Sequence, residues 1–367
     1  MVLLLFLMFG SYVLAVAMLS VTLQKVLNKP EQERSDETVS LSVIIPVRNE
    51  EKNILPLLND LERQDVTCEI IVIDDHSEDD TLQIAKRFIS TRHTVHVISA
   101  TGTGKKRVLA EAIGQAKGSV IVTTDGDCRV SPGWLAALRN SFIDGNVKMV
   151  FGGVKMMQHG AFFHDLQAIE FGSLIGTAAA TASVGYPTMC NGANLAFRKA
   201  VFEEVGGYEG NAAIASGDDE FLMRKILRLY PRGIHFVAQR EAVVSTQPNL
   251  TLRQFIQQRL RWAGKWRHNT SVHTVLLAVY IFVLQVLTGM CLVLLFTTHG
   301  LLFLTAVLGL VLKGLVEYVF LKQVCRYLKI KWNPPAFMIL QIVYPFYVTG
   351  IGLVAHFIPQ RWKGRTL

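Results

Sequence analysis

Charge is missing from three stretches of this 367-residue chain: residues 1–24, 269–312 and 336–358 contain no Asp, Glu, Lys or Arg. About 20 apolar helical residues cross a hydrocarbon core. The first and last stretches each predict one crossing. The middle one predicts two, turning near Thr297-Thr298-His299-Gly300. The first stretch also lacks the basic start and small-residue cleavage site of a secretory signal, so it is expected to stay as an anchor. Cysteine is scarce. The five are scattered with no Cys-x-x-Cys pair, which argues against a disulfide framework or a zinc site and suits a reducing compartment. Repeats and low-complexity tracts are absent too.

What charge there is sums to +8. Much of the basic excess flags the apolar stretches: Arg253, Arg259, Arg261, Lys265 and Arg267 before them, Lys322, Arg326, Lys329 and Lys331 between them. Basic residues beside a membrane mark its cytoplasmic side, so this pattern reads as topology rather than nucleic-acid binding. Residues 25–39 are a polar linker.

Between the linker and the later apolar stretches the pattern is α/β. Buried strands are predicted over 41–46, 69–75, 95–98 and 120–124, alternating with helices over 53–63, 81–90 and 106–116. Such βαβ units make a parallel sheet whose strand ends gather along one ligand-binding edge. Beyond Leu135 the pattern loosens. A helix around Phe162–Leu174 and a small-residue run from Gly176 to Gly185 are assigned to the same domain. Residues 251–268 read as an amphipathic, Arg- and Trp-rich helix lying in the membrane interface.

Three acidic clusters fall on this plan: Asp74-Asp75 after the second strand, Asp125-Gly126-Asp127 after the fourth, and Asp218-Asp219-Glu220 after Gly217. Carboxylates meeting at one edge call for a cation. An Asp-x-Asp pair suits hydrated Mg²⁺ or Mn²⁺ shared with substrate phosphates, although Asp and Gly also build plain turns. Asp219 opens a helix and reads either as a helix cap or as a general base for an acceptor hydroxyl. Gly102-Thr103-Gly104-Lys105 is Gly-rich, basic and helix-opening, which suits phosphate, without being a Walker loop.

In order, Ile45-Pro46-Val47-Arg48-Asn49-Glu50-Glu51, Ile73-Asp74-Asp75-His76-Ser77, Gly104-Lys105, Asp125-Gly126-Asp127, Cys190-Asn191-Gly192-Ala193-Asn194 with Phe197-Arg198, Gly206-Gly207-Tyr208, Gly217-Asp218-Asp219 and Gln258-Arg259-Leu260-Arg261-Trp262 resemble the motifs of the family 2 glycosyltransferases. That group holds cellulose, chitin and hyaluronan synthases and ceramide glucosyltransferase. The resemblance runs from about Ser42 to Trp262. It implies a GT-A fold, Rossmann-like with a mostly parallel sheet, joined to transmembrane helices, and inverting transfer, usually from a UDP-sugar. It implies that Asp74 and Asp75 hold the nucleoside, that Lys105 meets the nucleotide or its diphosphate, and that Asp125 and Asp127 bind the diphosphate through a metal, with Asp127 the main metal ligand. Asp219 would be the base, with Asn191, Gly192 and Asp218 on the acceptor side. Gln258, Arg261 and Trp262 would border the donor or acceptor beside the membrane. Asp218 stands where the family often has Glu, which shortens that arm.

The resulting plan is a transmembrane anchor (1–24), a cytoplasmic catalytic domain (40–250), an interface helix (251–268) and a C-terminal region of about three transmembrane segments (272–358). In a bacterium the membrane would be the plasma or inner membrane. A cytoplasmic catalytic domain leaves Arg361, Lys363 and Arg365 outside, against the positive-inside rule. A final segment broken at Pro345, Gly350 or Gly352 would resolve this. Lys313 and Glu317 are expected to pair and snorkel near the cytoplasmic end. About four crossings favour single transfer to a membrane lipid. A processive polysaccharide synthase with a glycan acceptor, and a non-catalytic nucleotide-sugar-binding membrane protein, are the alternatives.

Overall fold

A strand that is apolar at every position must be covered on both faces. In the computed structural model, Val43-Ile44-Ile45 and Ile70–Ile73 are such strands, each residue no more than 1% exposed. The structure describes residues 1–28, 39–210, 217–264, 272–355, 357, 361–362 and 365–366. Most of the polar linker, the end of the interface helix at Lys265–His268, and Lys363 lie outside the described residues.

The chain divides into two compact units, one of Val26–Met157 and Thr181–Gln247, the other of Met1–Lys25, Gln158–Ala180 and Pro248–Leu367. The first is α/β. Strands β1 (Leu41–Val47), β2 (Glu69–Asp74), β3 (Thr94–Ser99) and β4 (Val120–Thr123) alternate with helices α2 (Ile54–Glu62), α3 (Thr81–Arg87) and α4 (Lys105–Gln115). After α5 (Trp134–Asn140) come β5 (Met149–Gly152), β6 (Val154–Met156), β7 (Leu195–Arg198), α7 (Lys199–Glu204), α8 (Asp218–Leu229), β8 (Ile234–Val237) and β9 (Val244–Thr246). The main sheet runs β3-β2-β1-β4-β7-β5-β8, with β7 antiparallel to both neighbours and every other pair parallel. The strand order reverses direction at β1 and β4, and the carboxyl ends there open a ligand crevice. The four strands and three helices read from the sequence are all present, and the fold class is as expected.

The second unit is helical. It holds α1 (Val2–Leu27), α9 (Leu252–Gly264), α10 (Val272–Thr297), α11 (Gly300–Leu328), α12 (Pro334–Val354) and most of α6 (Phe162–Ser183). Four of these, α1, α10, α11 and α12, are long and apolar enough to cross a membrane. The predicted turn between α10 and α11 falls at Thr298-His299.

Several expectations change here. The helix near Phe162 and the small-residue run form one 22-residue helix, and residues 158–180 group with the apolar helices rather than the sheet. Gly176 explains it: a Cβ there would press into Val324 of α11, and small residues are what let two helices approach this closely. Helix α12 runs unbroken through Pro345, whose carbonyl accepts from Thr349 Oγ1 at 2.7 Å, so the break that would resolve the charge conflict is absent. Lys322 and Arg326 lie on α11, not in a loop. Lys313 sits mid-helix and is 2% exposed, so it does not snorkel. Its Nζ lies 2.9 Å from Glu317 and donates to Gln341 at 3.1 Å, while Glu317 also accepts from Gln341 Nε2 at 2.7 Å and from Tyr12 of α1. Leu5 and Phe9 of α1 pack with Leu284, Leu287, Cys291 and Ala306. Helix α1 is thus a working member of this bundle.

Candidate active site at the carboxyl edge of the sheet

Each strand of the parallel half delivers polar residues to the same edge as soon as its apolar run ends. After β1, Arg48 donates to the carbonyls of Asp75 and His76 at 2.8 and 2.6 Å and pairs with Glu78 at 2.8 Å. It clasps the loop that follows β2. Asp74 and Asp75 are buried under that clasp. Asp74 Oδ2 accepts from Ser77 N at 3.1 Å, while its Oδ1 is a buried acceptor with no protein donor. Asp75 Oδ2 accepts from Gly104 N at 3.3 Å and so ties the β2 loop to the start of α4.

Lys105, the first residue of α4, reaches across the crevice. Its Nζ lies 2.6 Å from Asp125 Oδ1 and 3.7 Å from Asp218 Oδ2. Asp125 follows β4 in a tight turn closed by Cys128 N on the Asp125 carbonyl at 3.1 Å. Gly126 is required there: a Cβ would come within 2.9 Å of Val47 and 3.1 Å of Glu50. Asp127 Oδ2 accepts from Thr246 Oγ1 at 3.3 Å. Arg129 pins the end of this turn to Asp60 through two bonds of 2.5 and 2.8 Å.

Gly192 is gripped from both sides. Its carbonyl accepts from Thr123 Oγ1 at 2.7 Å, and its N–H donates to Asp219 Oδ2 at 2.9 Å. Asn191 caps the same turn through Ala193 N at 2.9 Å. Asn194 is buried and structural, accepting from Trp134 Nε1 and donating to the carbonyls of Gly153 and Ala242. Gly217, at φ +80°, is the residue before α8, so Asp218 and Asp219 are first-turn residues and the cap reading of Asp219 does not hold. Asp219 instead binds the Gly192 backbone across the crevice.

The electrostatics follow from burial. Burial pushes the Asp218 carboxyl up; Lys105 pulls it back and Asp219 and Asp125 add to the rise, for a net value above the ordinary range. Burial lowers the Lys105 ammonium, but Asp125, Asp218 and Asp219 outweigh it, and it stays firmly protonated. Tyr208 is raised by burial and then by Asp218. Among the described residues, Lys105 is thus the cation that faces the three carboxylates Asp125, Asp218 and Asp219.

Asp74, Asp75, Lys105, Asp125, Asp127, Asn191, Gly192, Asp218 and Asp219 all belong to the α/β unit. Gln258, Arg261 and Trp262 lie on α9 of the helical unit. There Gln258 Oε1 accepts from Asn249 Nδ2 at 3.0 Å and from Arg259 Nη1 at 2.6 Å, and the Trp262 ring lies 5.9 Å from that of Phe171. Sequence reasoning gives no role to Arg48, Tyr208 or Thr246. Arg48 is within its reach, because it directly follows the first buried strand.

Among the described residues no three His, Cys, Asp or Glu side chains converge as a metal cage. Mg²⁺ and Mn²⁺ in phosphate sites take one or two carboxylates, with diphosphate and water filling the remaining positions. Asp125 and Asp127, with Gly126 between them on a turn, are the carboxylates that would form such a pair.

Residues 42–206 match the sequence profile described as Glycosyl transferase family 2. The chain is similar to the Haloferax volcanii protein named glycosyltransferase AglE, 28% identical over 197 residues that make up 50% of this chain and 60% of that protein. It is also similar to a Staphylococcus aureus poly-beta-1,6-N-acetyl-D-glucosamine synthase, 24% identical over 245 residues that make up 65% of this chain and 57% of the relative. The chain thus spans less than two thirds of each. Among solved structures, a mannosyltransferase from Pyrobaculum calidifontis, in complex with GDP-Man and Mn²⁺, superposes with a TM-score of 0.57 at 16% identity, covering 97% of this chain and 99% of that one. At that identity the likeness speaks for the fold. Residues 42–206, a little under half of the chain, thus form a segment of the Glycosyl transferase family 2 type.

Proposed function

We propose that this chain transfers a sugar from a nucleotide-sugar, most simply a UDP-sugar, to the hydroxyl of a membrane lipid, with inversion at the anomeric carbon. The observation that carries this reading is the convergence of Lys105, Asp218 and Asp219 on Gly192 at the sheet edge, with Asp125 on Lys105, beside the loops held by Asp74 and Asp75.

Each residue has a task. Asp74 and Asp75 hold the nucleoside, Asp74 with a carboxylate oxygen that lacks a protein donor. Asp219 takes the proton of the acceptor hydroxyl. The acceptor oxygen bonds to the anomeric carbon as that carbon's bond to the diphosphate oxygen breaks, and the nucleoside diphosphate leaves with the electron pair. Lys105 stands beside the diphosphate as a fixed positive charge. Gly192 and Asn191 shape the acceptor side with Asp218, and the absence of a Cβ at Gly192 keeps that wall close to Asp218 and Asp219. Asp127 with Asp125 would hold Mg²⁺ or Mn²⁺, which when bound neutralises charge on the departing diphosphate. On α9, Gln258, Arg261 and Trp262 contact donor or acceptor. The basic residues flanking the apolar helices support a cytoplasmic catalytic unit.

The likeness to a polysaccharide synthase supports a second reading, repeated transfer to a growing glycan. Both are tested with the detergent-purified chain, Mn²⁺ or Mg²⁺, native lipid extract, and UDP-glucose, UDP-galactose, UDP-GlcNAc or GDP-mannose. Nucleotide release with a singly glycosylated lipid supports the first reading, and a long polymer the second. Asp219→Asn is expected to lower turnover by about 10²–10⁴-fold, the usual range for a general base. Donor binding without release from any donor would leave a binding protein.

A further inference from the structure

Arg259 lies inside the Gln-x-x-Arg-Trp segment at a position to which that motif gives no role, yet it is one of the most buried charges of the helical unit, 4% exposed. Each of its three nitrogens donates. Nε donates to Glu170 Oε1 at 3.0 Å, Nη2 donates to Glu170 Oε2, and Nη1 donates to Gln258 Oε1 at 2.6 Å. The guanidinium face lies 4.3 Å from the Trp262 ring centre. Glu170 is also fixed from α12, because its Oε1 accepts from Tyr347 OH at 2.8 Å.

We propose that Arg259 and Glu170 are positioning residues of the transfer reaction: a buried clamp that sets the Gln258 carboxamide and the Trp262 ring on α9. This rests on the role given above to Gln258 and Trp262. With Oε1 engaged by both Arg259 and Asn249, the carboxamide presents its N–H₂ end to a ligand. The cation beneath Trp262 orients the indole by its face. A lysine would keep the charge but could not hold two oxygens of Glu170, one of Gln258 and a ring at once. Arg261, the arginine of the motif proper, can then address phosphate, because α9 is anchored by its neighbour.

The test is a double-mutant cycle on the full chain in detergent, with donor, Mn²⁺ and lipid extract. Arg259→Lys and Glu170→Gln are made alone and in a Gln258→Ala background. Arg259→Lys is expected to lower kcat by roughly tenfold or more with donor KM nearly unchanged, and to cost less than about threefold once Gln258 is already truncated, because contacting residues do not act additively. The same loss in both backgrounds, or unchanged kinetics, overturns the clamp. A second readout needs no turnover: the emission of Trp262, taken as the difference between each chain and its Trp262→Phe counterpart. Arg259→Lys is expected to shift that emission and ease its quenching by acrylamide; an identical difference spectrum overturns the clamp. If the unsubstituted chain turns over no donor while Trp262 still responds, the clamp stands and the transfer reading falls.

Discussion

Glu170 and Glu317 of the helical unit and Asp125 and Asp218 of the α/β unit are all carboxylates paired with a cation, but the pairing differs in kind. Glu170 meets Arg259 and Tyr347, and Glu317 meets Lys313, Gln341 and Tyr12, so that donors surround each of them. At the sheet edge a single Lys105 serves Asp125 and Asp218 together, and Asp125 keeps about a third of its side chain exposed. The first arrangement is complete without a ligand. Among the described residues the second holds more negative charge than positive, as the proposed cation and diphosphate site requires. A buried carboxylate by itself is therefore no sign of function; the tally of its donors is what separates scaffold from site.

The largest effect should come from unbalancing a complete cluster. Glu317→Leu leaves Lys313 buried without its carboxylate, and is expected to destabilise the detergent-solubilised chain by about 3–5 kcal/mol. Replacing both charges, Lys313→Met with Glu317→Leu, should restore most of that. Thermal denaturation reads both. A double variant as unstable as the single one would mean that the pair itself, rather than its balance, holds the helices.

Lys105→Met sharpens the contrast from the other side. The crevice is open to water, which can take over part of the lost solvation, so the melting temperature should move less than in Glu317→Leu. Turnover should fall by about 10²–10³-fold, as for removal of one donor to a developing charge. Nucleotide release and melting, measured on the same preparation, decide it. A large drop in stability with near-normal turnover would place Lys105 with the scaffold.

Gly176→Ala probes the packing of α6 within the helical unit. Its Cβ would press into Val324, and overpacking of this kind destabilises by about 1–3 kcal/mol. Val324→Ala in the same chain should relieve it. The allegiance of α6 is hard to read from the sequence. A stripe of glycine and alanine on a helix looks the same whether a sheet or another helix lies against it, so the pattern alone leaves α6 with the α/β domain. The depth of Lys313 is hidden because the charge-free stretch ends at Leu312, whereas α11 continues to Leu328. By contrast the β1, β2 and β4 strands are legible, because their middles are unbroken apolar runs and such runs are covered on both faces. The edge acids follow from them, since the residue after such a strand must lie at the sheet's end. The Arg259–Glu170 clamp joins residues 89 apart in sequence, and no local pattern announces it.

The smallest effect concerns Asp218 and its sign. Burial raises this carboxyl, Lys105 opposes the rise, and Asp219 and Asp125 reinforce it, leaving it above the ordinary range. A carboxyl raised in the folded state favours the fold in its protonated form. That contribution is fully present below the unfolded value of about 3.9 and is lost as pH climbs through the raised folded value. Asp218→Asn stays neutral throughout, so it should gain on the unsubstituted chain as pH is taken from about 4 to about 8. The sign of the gain follows from the direction of the shift alone. Melting curves of both chains across that range, without nucleotide or metal, measure the gap. If the variant instead loses ground as pH rises, the Lys105 pairing outweighs burial, and Asp218 belongs with Glu170 and Glu317 among the carboxylates whose partners are already complete.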